Sequence, residues 1–257
     1  MTPDSPTSAA AARTRPRTGG LPDTGLTFGP ASSIEQVIEA WTLVYRSYLR
    51  SGLVQTNRWR VHTVPHAIQS HSVVICGRIQ ELTVSTLSAY FDQSGGIGLP
   101  VDEIYPDEVA ALRDDGRRLM EIGLFADRRE HIQRSVDALL ELMRHVCYFG
   151  ANFGATDGLI RVQPRHAAFY TRLLGFDQIG AEKPHPTVEG RSTVLLHLDG
   201  YGKIKGDNLP RGLRHFKSHP LDSDAFAERY VLDGQGIAGS PIEQYLRHTT
   251  HAVVSTG

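Results

Sequence analysis

Three histidines, His62, His66 and His71, lie close enough along the chain to raise a metal site. Pro65 breaks the helix that would align the first two, and no carboxylate or cysteine stands nearby to complete a ligand set. They read as loop residues, and no metal is expected. Gly95, Gly96 and Gly98 have the composition of a phosphate cradle, but no helix follows to lend its N-terminus, so a dinucleotide loop is excluded. Cys76 and Cys147 sit in apolar runs and read as buried thiols in a reducing compartment, which fits a cytoplasmic protein. A carboxylate and a phenol also stand within patterned stretches. Glu121 lies inside the apolar run Leu119–Ala126, and Tyr170 lies inside Asp157–Phe176, DGLIRVQPRHAAFYTRLLGF. Side chains of these two types exchange protons with a reacting group.

The elements that must position them follow from periodicity. Leu119–Ala126 reads as a strand. Gly158–Val162 reads as another, Pro164 suits the first position of a helix, and Gly175 suits the residue just past its end. Phe176 onward reads as a further strand, which makes a compact βαβ unit with Tyr170 near its middle. Upstream, Ser32 with Glu35 reads as a capping box, and Ile34, Val37, Ile38, Trp41, Val44, Tyr45, Tyr48 and Leu49 mark one face of a helix ending near Gly52. Ser72–Cys76 and Leu82–Tyr90 form a hairpin with Gly77 at the turn, and Pro106 opens a short helix through Leu112. Ile132, Val136, Leu139, Leu140, Met143 and Val146 define a long amphipathic helix, and Ser192–Leu198 is a last strand. A mixed, mostly antiparallel α/β (α+β) sheet flanked by helices is expected. Residues 1–28 are expected to be a disordered leader, 29–199 the folded domain, and 200–257 an appendage with little core, apart from a short helix at Ser223–Tyr230.

The 257-residue chain carries a net charge of −1, so no basic field favours nucleic acid. No apolar run approaches the ~20 residues of a membrane span.

With FYTRLLGF on a helix that turns into a strand, the chain resembles the GNAT acyltransferase superfamily. TLSAYFD, GLPVDEIYPDEVAALR, GRRLMEIGLFAD and VQPRHAAFYTRLLGF, in that order, look like the long-chain N-acyl amino acid synthases, relatives of the acyl-homoserine lactone synthases. The resemblance implies a sheet splayed between the fourth and fifth strands. It implies transfer of an acyl group from a phosphopantetheine thioester to the amine of an amino acid, giving a lipid-like product. The thioester is a co-substrate, so no tightly bound cofactor is implied. The superfamily's glycine-rich pyrophosphate loop is replaced here by DRREHIQRS, which disfavours free CoA and favours acyl carrier protein as partner. Acetyl-CoA-dependent N-acetylation, autoinducer synthesis and non-catalytic acyl binding are the alternatives.

Roles carried over from the resemblance fall on specific residues. Glu121 is the candidate base, with a structural ion pair to Arg118 or Arg161 as its plainer role. Tyr170 is the candidate acid for the leaving thiolate. Backbone at Gly123, Leu124 and Phe125 would hold the pantetheine and polarise the thioester, Arg128, Arg129 and Arg134 would meet its phosphate or an acidic carrier face unless they only solvate a helix start, and Arg165 would meet a carboxylate on donor or acceptor. Asp92 and His166 are candidates for acceptor binding. Leu99, Pro100, Val101, Ile104 and Tyr105 would wall an acyl tunnel or simply pack the Pro106 helix. An α-amine is already about 1–10% neutral near pH 7, so a base supplies at most roughly 1.4–2.7 kcal/mol. One oxyanion donor is worth about 2.7–4 kcal/mol.

Overall fold

The computed structural model describes residues 25–93, 95–128, 130–131, 135–185, 188–200 and 208–254. Its frame is one sheet. Strands β1 (Leu26–Pro30), β2 (Val73–Ile79), β3 (Leu82–Phe91), β4 (Leu119–Asp127), β5 (Asp157–Val162), β6 (Asp177–Gln178), β7 (Lys183–His185) and β8 (Arg191–Asp199) lie in the order β1-β2-β3-β4-β5-β8-β6, with β7 paired to β8. All neighbours are antiparallel except β4 and β5.

Alternation along the strands builds two cores. One face carries Val74, Cys76, Leu119, Leu159 and Leu195 against helix α1 (Ile34–Arg50) and the single-turn and helical segment that includes α2 (Pro106–Asp114). Trp41 of α1 is fully buried there and donates its indole N–H to Ser88 Oγ at 3.3 Å. The opposite face carries Ile75, Leu87, Ile122, Ile160 and Leu196 against α3 (Ser135–Asn152) and α4 (Pro164–Leu174).

β4 and β5 pair over four positions only, from Leu119↔Asp157 to Ile122↔Ile160. Beyond Ile122, β4 continues to Asp127 on β3 alone, and beyond Ile160, β5 continues to Val162 on β8 alone. The sheet is therefore open between the fourth and fifth strands. At the apex β4 carries an extra residue relative to β3, since Ser88 faces Gly123 while Thr86 faces Ala126. Leu124 inside this bulge has φ +53°, a left-handed conformation that costs a leucine about 1–3 kcal/mol.

Several expectations are corrected. Residues 1–24 lie outside the described residues, but the supposed leader ends early, because Leu26–Pro30 forms the edge strand β1. The cap of α1 is Ser33 with Gln36, one residue later than the expected box. The hairpin turns at Gln80–Glu81, and Gly77 instead marks a register shift within β2. β5 and β6 are not neighbours, since β8 lies between them, so Asp157–Phe176 is not a closed βαβ unit. Gly175 does cap α4 as expected, at φ 75° with its N–H on the Thr171 carbonyl at 2.9 Å.

The C-terminal segment is the largest correction. It forms α5 (Arg211–Ser218), a single turn at Ser223–Phe226, and α6 (Pro241–Val254). Leu213, Phe216 and Phe226 enter the α3-face core, while Leu232, Ile237, Ile242, Tyr245 and Leu246 enter the α1-face core. Each buried side chain of this size contributes roughly 1.5–3 kcal/mol, so this segment is part of the fold rather than an appendage.

Candidate active site

Glu121 is where the open sheet and the α1 face meet. It lies across from Tyr90 of β3 and Leu159 of β5, one residue before the last β4–β5 pair. Arg161, two residues beyond Leu159, is its diagonal neighbour on the same face. Arg161 Nε donates to Glu121 Oε1 at 2.7 Å, and the Val101 backbone N–H donates to Oε2 at 2.7 Å. The pair is buried, with Glu121 1% exposed. Burial pushes the Glu121 carboxyl up, while the Arg161 charge, the Arg161 hydrogen bond and the Val101 N–H pull against it. A raised carboxyl pKa brings a base closer to the pH at which it must work.

Around this pair stands a polar chamber. Arg161 Nη1 lies 2.9 Å from His185 Nε2 of β7. Burial and then the Arg161 charge push the His185 imidazole down to about 3. Tyr48 of α1 lies within electrostatic reach of Arg161, Tyr90 and Tyr170. The Tyr48 ring packs 5.3 Å from that of His62, whose imidazole burial pushes down to about 4. Burial also lifts the hydroxyls of Tyr48 and Tyr170 to about 12 and that of Tyr90 well above its usual range, so all three stay protonated. Among the described residues, no hydrogen bond occupies the hydroxyl of Tyr48, Tyr90 or Tyr170. Beside the Glu121–Arg161 pair the chamber holds neutral imidazoles and phenolic donors at neutral pH.

Gly123 sits beside the chamber. A Cβ there would lie 3.5 Å from Tyr90 Oη, an ordinary contact, so packing within the chain does not require glycine. Leu124 is buried on the α1 face and Phe125 packs on the α3 face. The backbone between them belongs to the bulged stretch of β4 that β5 does not pair.

On the other side of the same strands lies an apolar cavity of about 340 Å³, lined by Met120, Ile122, Gly158, Ala151, Leu198 and Phe216 among others. Gly158 leaves its floor open. A Cβ there would stand 3.7 Å from Ile122 Cδ1 and 3.8 Å from Leu198 Cβ. Ile122, the last β4 residue paired with β5, borders the cavity, and the rest of its strand lining, Met120, Asp157, Gly158 and Leu198, lies under the paired stretch. The stretch expected to wall an acyl tunnel is packed solid instead. Leu99, Val101 and Tyr105 are buried in the α1-face core, and the Tyr105 hydroxyl donates to the Thr193 carbonyl at 2.7 Å.

The other expected residues divide. Tyr170 on α4 packs against the α3-face core, edge-on to Phe169 and Phe176, within electrostatic reach of Tyr48. Asp92 is not brought to the chamber. It lies at the Leu119 end of β4, where Asp92 Oδ2 takes Arg113 Nε at 2.5 Å, and Asp102 takes the same guanidinium through two bonds of 2.7 Å. This holds the loop 92–102 to α2 by charge. Arg165 and His166 are exposed at the start of α4, with Arg165 Nε 3.3 Å from His166 Nε2. Arg128 closes the end of β4 by donating from Nε to the Thr83 carbonyl at 2.9 Å, and Arg129 lies outside the described residues. Among the described residues no cluster of histidine, cysteine or carboxylate could hold a metal, and no helix is long and apolar enough to cross a membrane.

Sequence reasoning missed Tyr48, Tyr90, His62, His185 and Tyr245. Tyr48 keeps the apolar period of α1 and so resembles core. The one usable signal was Arg161, two residues along from Glu121's partner position.

A comparison with solved structures finds the N-acyl amino acid synthase FeeM from uncultured soil microbes, 24% identical, with a TM-score of 0.61 over 69% of this chain and 91% of that one. It also finds TofI, in a ternary complex with an inhibitor and MTA, at 13% identity and TM-score 0.55 over 78% of this chain and 98% of that one. A CoA-dependent acyl-homoserine lactone synthase, MesI, follows at 9% identity and TM-score 0.52, over 75% and 92%. No match was found among curated proteins. The family described as N-acyl amino acid synthase FeeM matches residues 39–199, which include the gap, Glu121, Arg161 and Tyr170. The chain therefore belongs to the FeeM N-acyl amino acid synthase family, and it is a GNAT-like N-acyltransferase that draws on an acyl thioester.

Proposed function

We propose that this enzyme moves a long-chain acyl group from the pantetheine thioester of acyl carrier protein to the α-amine of an amino acid. The observation that carries the reading is the presence of two unlike spaces on opposite faces of the same two strands: the Glu121–Arg161 chamber on the α1 face and the apolar cavity of about 340 Å³ on the α3 face. A cavity of that size lies at the small end of ligand pockets, well beyond what an acetyl group needs. The glycine-free segment after β4 supports a donor with one phosphate rather than a pyrophosphate.

In this reading Glu121 accepts the proton of the acceptor amine, directly or through a water. The freed amine attacks the thioester carbon, and the carbonyl oxygen takes up charge against backbone N–H groups at the Gly123–Phe125 bulge. The C–N bond forms, the C–S bond breaks, and the nitrogen sheds its second proton, which reaches the leaving thiolate by way of the Tyr170 hydroxyl or solvent. Arg161 receives the acceptor's carboxylate, with phenolic hydroxyls completing its shell. The bulge holds its geometry before substrate arrives, so the backbone donors need no reorganisation in the reaction.

The test is product analysis by mass spectrometry. Purified protein is given acyl carrier protein charged with chains of several lengths, or acetyl-CoA, together with a mixture of amino acids. N-acyl amino acids from long-chain carrier protein support the reading. Acetylated amino acids only, or no amide from any pair, reject it.

A further inference from the structure

The segment after Asp199 lies outside the stretch that matches the family, yet it reaches the chamber. The Tyr245 hydroxyl on α6 stands 3.0 Å from His62 Nδ1, and both residues are buried. α6 is anchored on the loop that carries His62. Trp59 Nε1 donates to Gln244 Oε1 at 3.2 Å, and the Trp59 ring packs against Tyr245 at 6.1 Å and His248 at 5.0 Å. Ile242 and Leu246 bury beside them in the α1-face core.

A neutral imidazole has one donor nitrogen and one acceptor. With the Tyr245 hydroxyl donating, His62 Nδ1 is the acceptor and Nε2 carries the hydrogen. His62 packs on Tyr48, and Tyr48 in turn is within electrostatic reach of Arg161. Together with Arg161 and the open hydroxyls of Tyr48 and Tyr90, the His62 N–H makes this side of the chamber a set of donors with few acceptors. Such a set suits a carboxylate.

We propose that α6 is the acceptor-side wall of the active site, and that Tyr245 is a positioning residue that fixes the ring and tautomer of His62 where the carboxylate of the amino acid is received. This rests on the reading of the chain as an amide-forming acyltransferase. It assigns to the C-terminal segment the choice and placement of the acceptor, and leaves the acyl chain to the opposite face.

The test uses the full-length protein and the conservative variant Tyr245→Phe. The KM for the amino acid should rise about three- to tenfold, the scale of one hydrogen bond, with the KM for the acyl donor unchanged. His62→Gln should give a similar rise, and the double variant should add little to either single one, since the two groups act as a unit. Donor and acceptor constants that worsen together, or none that changes, overturn the proposal. A second measurement needs no turnover. The His62 ring nitrogens, followed by NMR, should report an Nε2–H tautomer in the parent and should shift when amino acid is added without donor. No shift overturns the proposal. A shift in a protein that forms no amide with any donor retains the pocket and rejects the proposed reaction instead.

Discussion

The two faces of the β4–β5 junction differ in nearly every respect, although the same two strands make both. Toward α1 the strands present Glu121 and Arg161, under imidazoles and phenols. Toward α3 they present Met120, Ile122 and Gly158, under aliphatic and aromatic side chains. The two-residue period of a strand does the sorting. Adjacent positions face opposite environments, so a reagent with a charged head and an apolar tail is accommodated by one pair of strands without a second domain. In the proposed reaction the chemistry falls at the edge between the two faces, where pairing stops.

The hardest blow to the polar face is removal of its cation. Arg161→Met leaves Glu121 buried without its countercharge, and loss of about 3–5 kcal/mol is expected, read as a lowered denaturant midpoint at constant slope. Substituting the carboxylate is gentler on the fold. Glu121→Gln retains an oxygen for the Val101 N–H, and kcat/KM should fall about 10- to 100-fold, up to roughly 2.7 kcal/mol, with near-parental stability. An unchanged rate would leave Glu121 as a structural ion-pair member only.

Acid should strain the polar face. His62 and His185 are held neutral by burial, at about 4 and about 3, below the value of about 6.5 of an unfolded histidine. The unfolded chain therefore binds more protons below pH 6.5. Stability present above that pH is lost as pH falls toward 4, at up to about 1.4 kcal/mol per pH unit for each histidine. Chemical denaturation between pH 7 and pH 4.5 checks it, and His62→Gln should flatten part of the slope. Tyr170→Phe should lower kcat by at most about tenfold, because thiolates leave with little help. Complete loss in a folded protein would make the tyrosine indispensable. The smallest effect belongs to the apolar face. Gly158→Ala fits at ordinary contact distance but removes about one methyl of cavity, so the longest accepted donor should lose about 0.8 kcal/mol, three- to fourfold, while short donors are unaffected. Equal losses at every chain length would sever the cavity from the acyl group.

Much of one face could be read from the chain and little of the other. Pro164 and Gly175 fix the ends of α4 because their backbone preferences act locally. A carboxylate inside an apolar strand demands a partner, and Arg161 stood within reach of it. Leu124 gave no such sign, since leucine is not a residue that local preference sends to positive φ, and the surrounding bulge imposes it. Tyr48 is indistinguishable from core on periodicity alone. The C-terminal segment has short elements whose apolar residues divide between two cores, so no single helical stripe announces it. His62 acquires its role only when α6 arrives from 183 residues away.

The opening between β4 and β5 is closed at Ile122–Ile160 and unclosed at its far end, where Asp127 and Val162 share no pairing. Topologically it is a slot rather than a hole. A chain held at its head by a bulky carrier need not be threaded tip first through the sheet. It can be laid in sideways along its whole length, as a card is drawn through a reader, and the product can leave by the same edge.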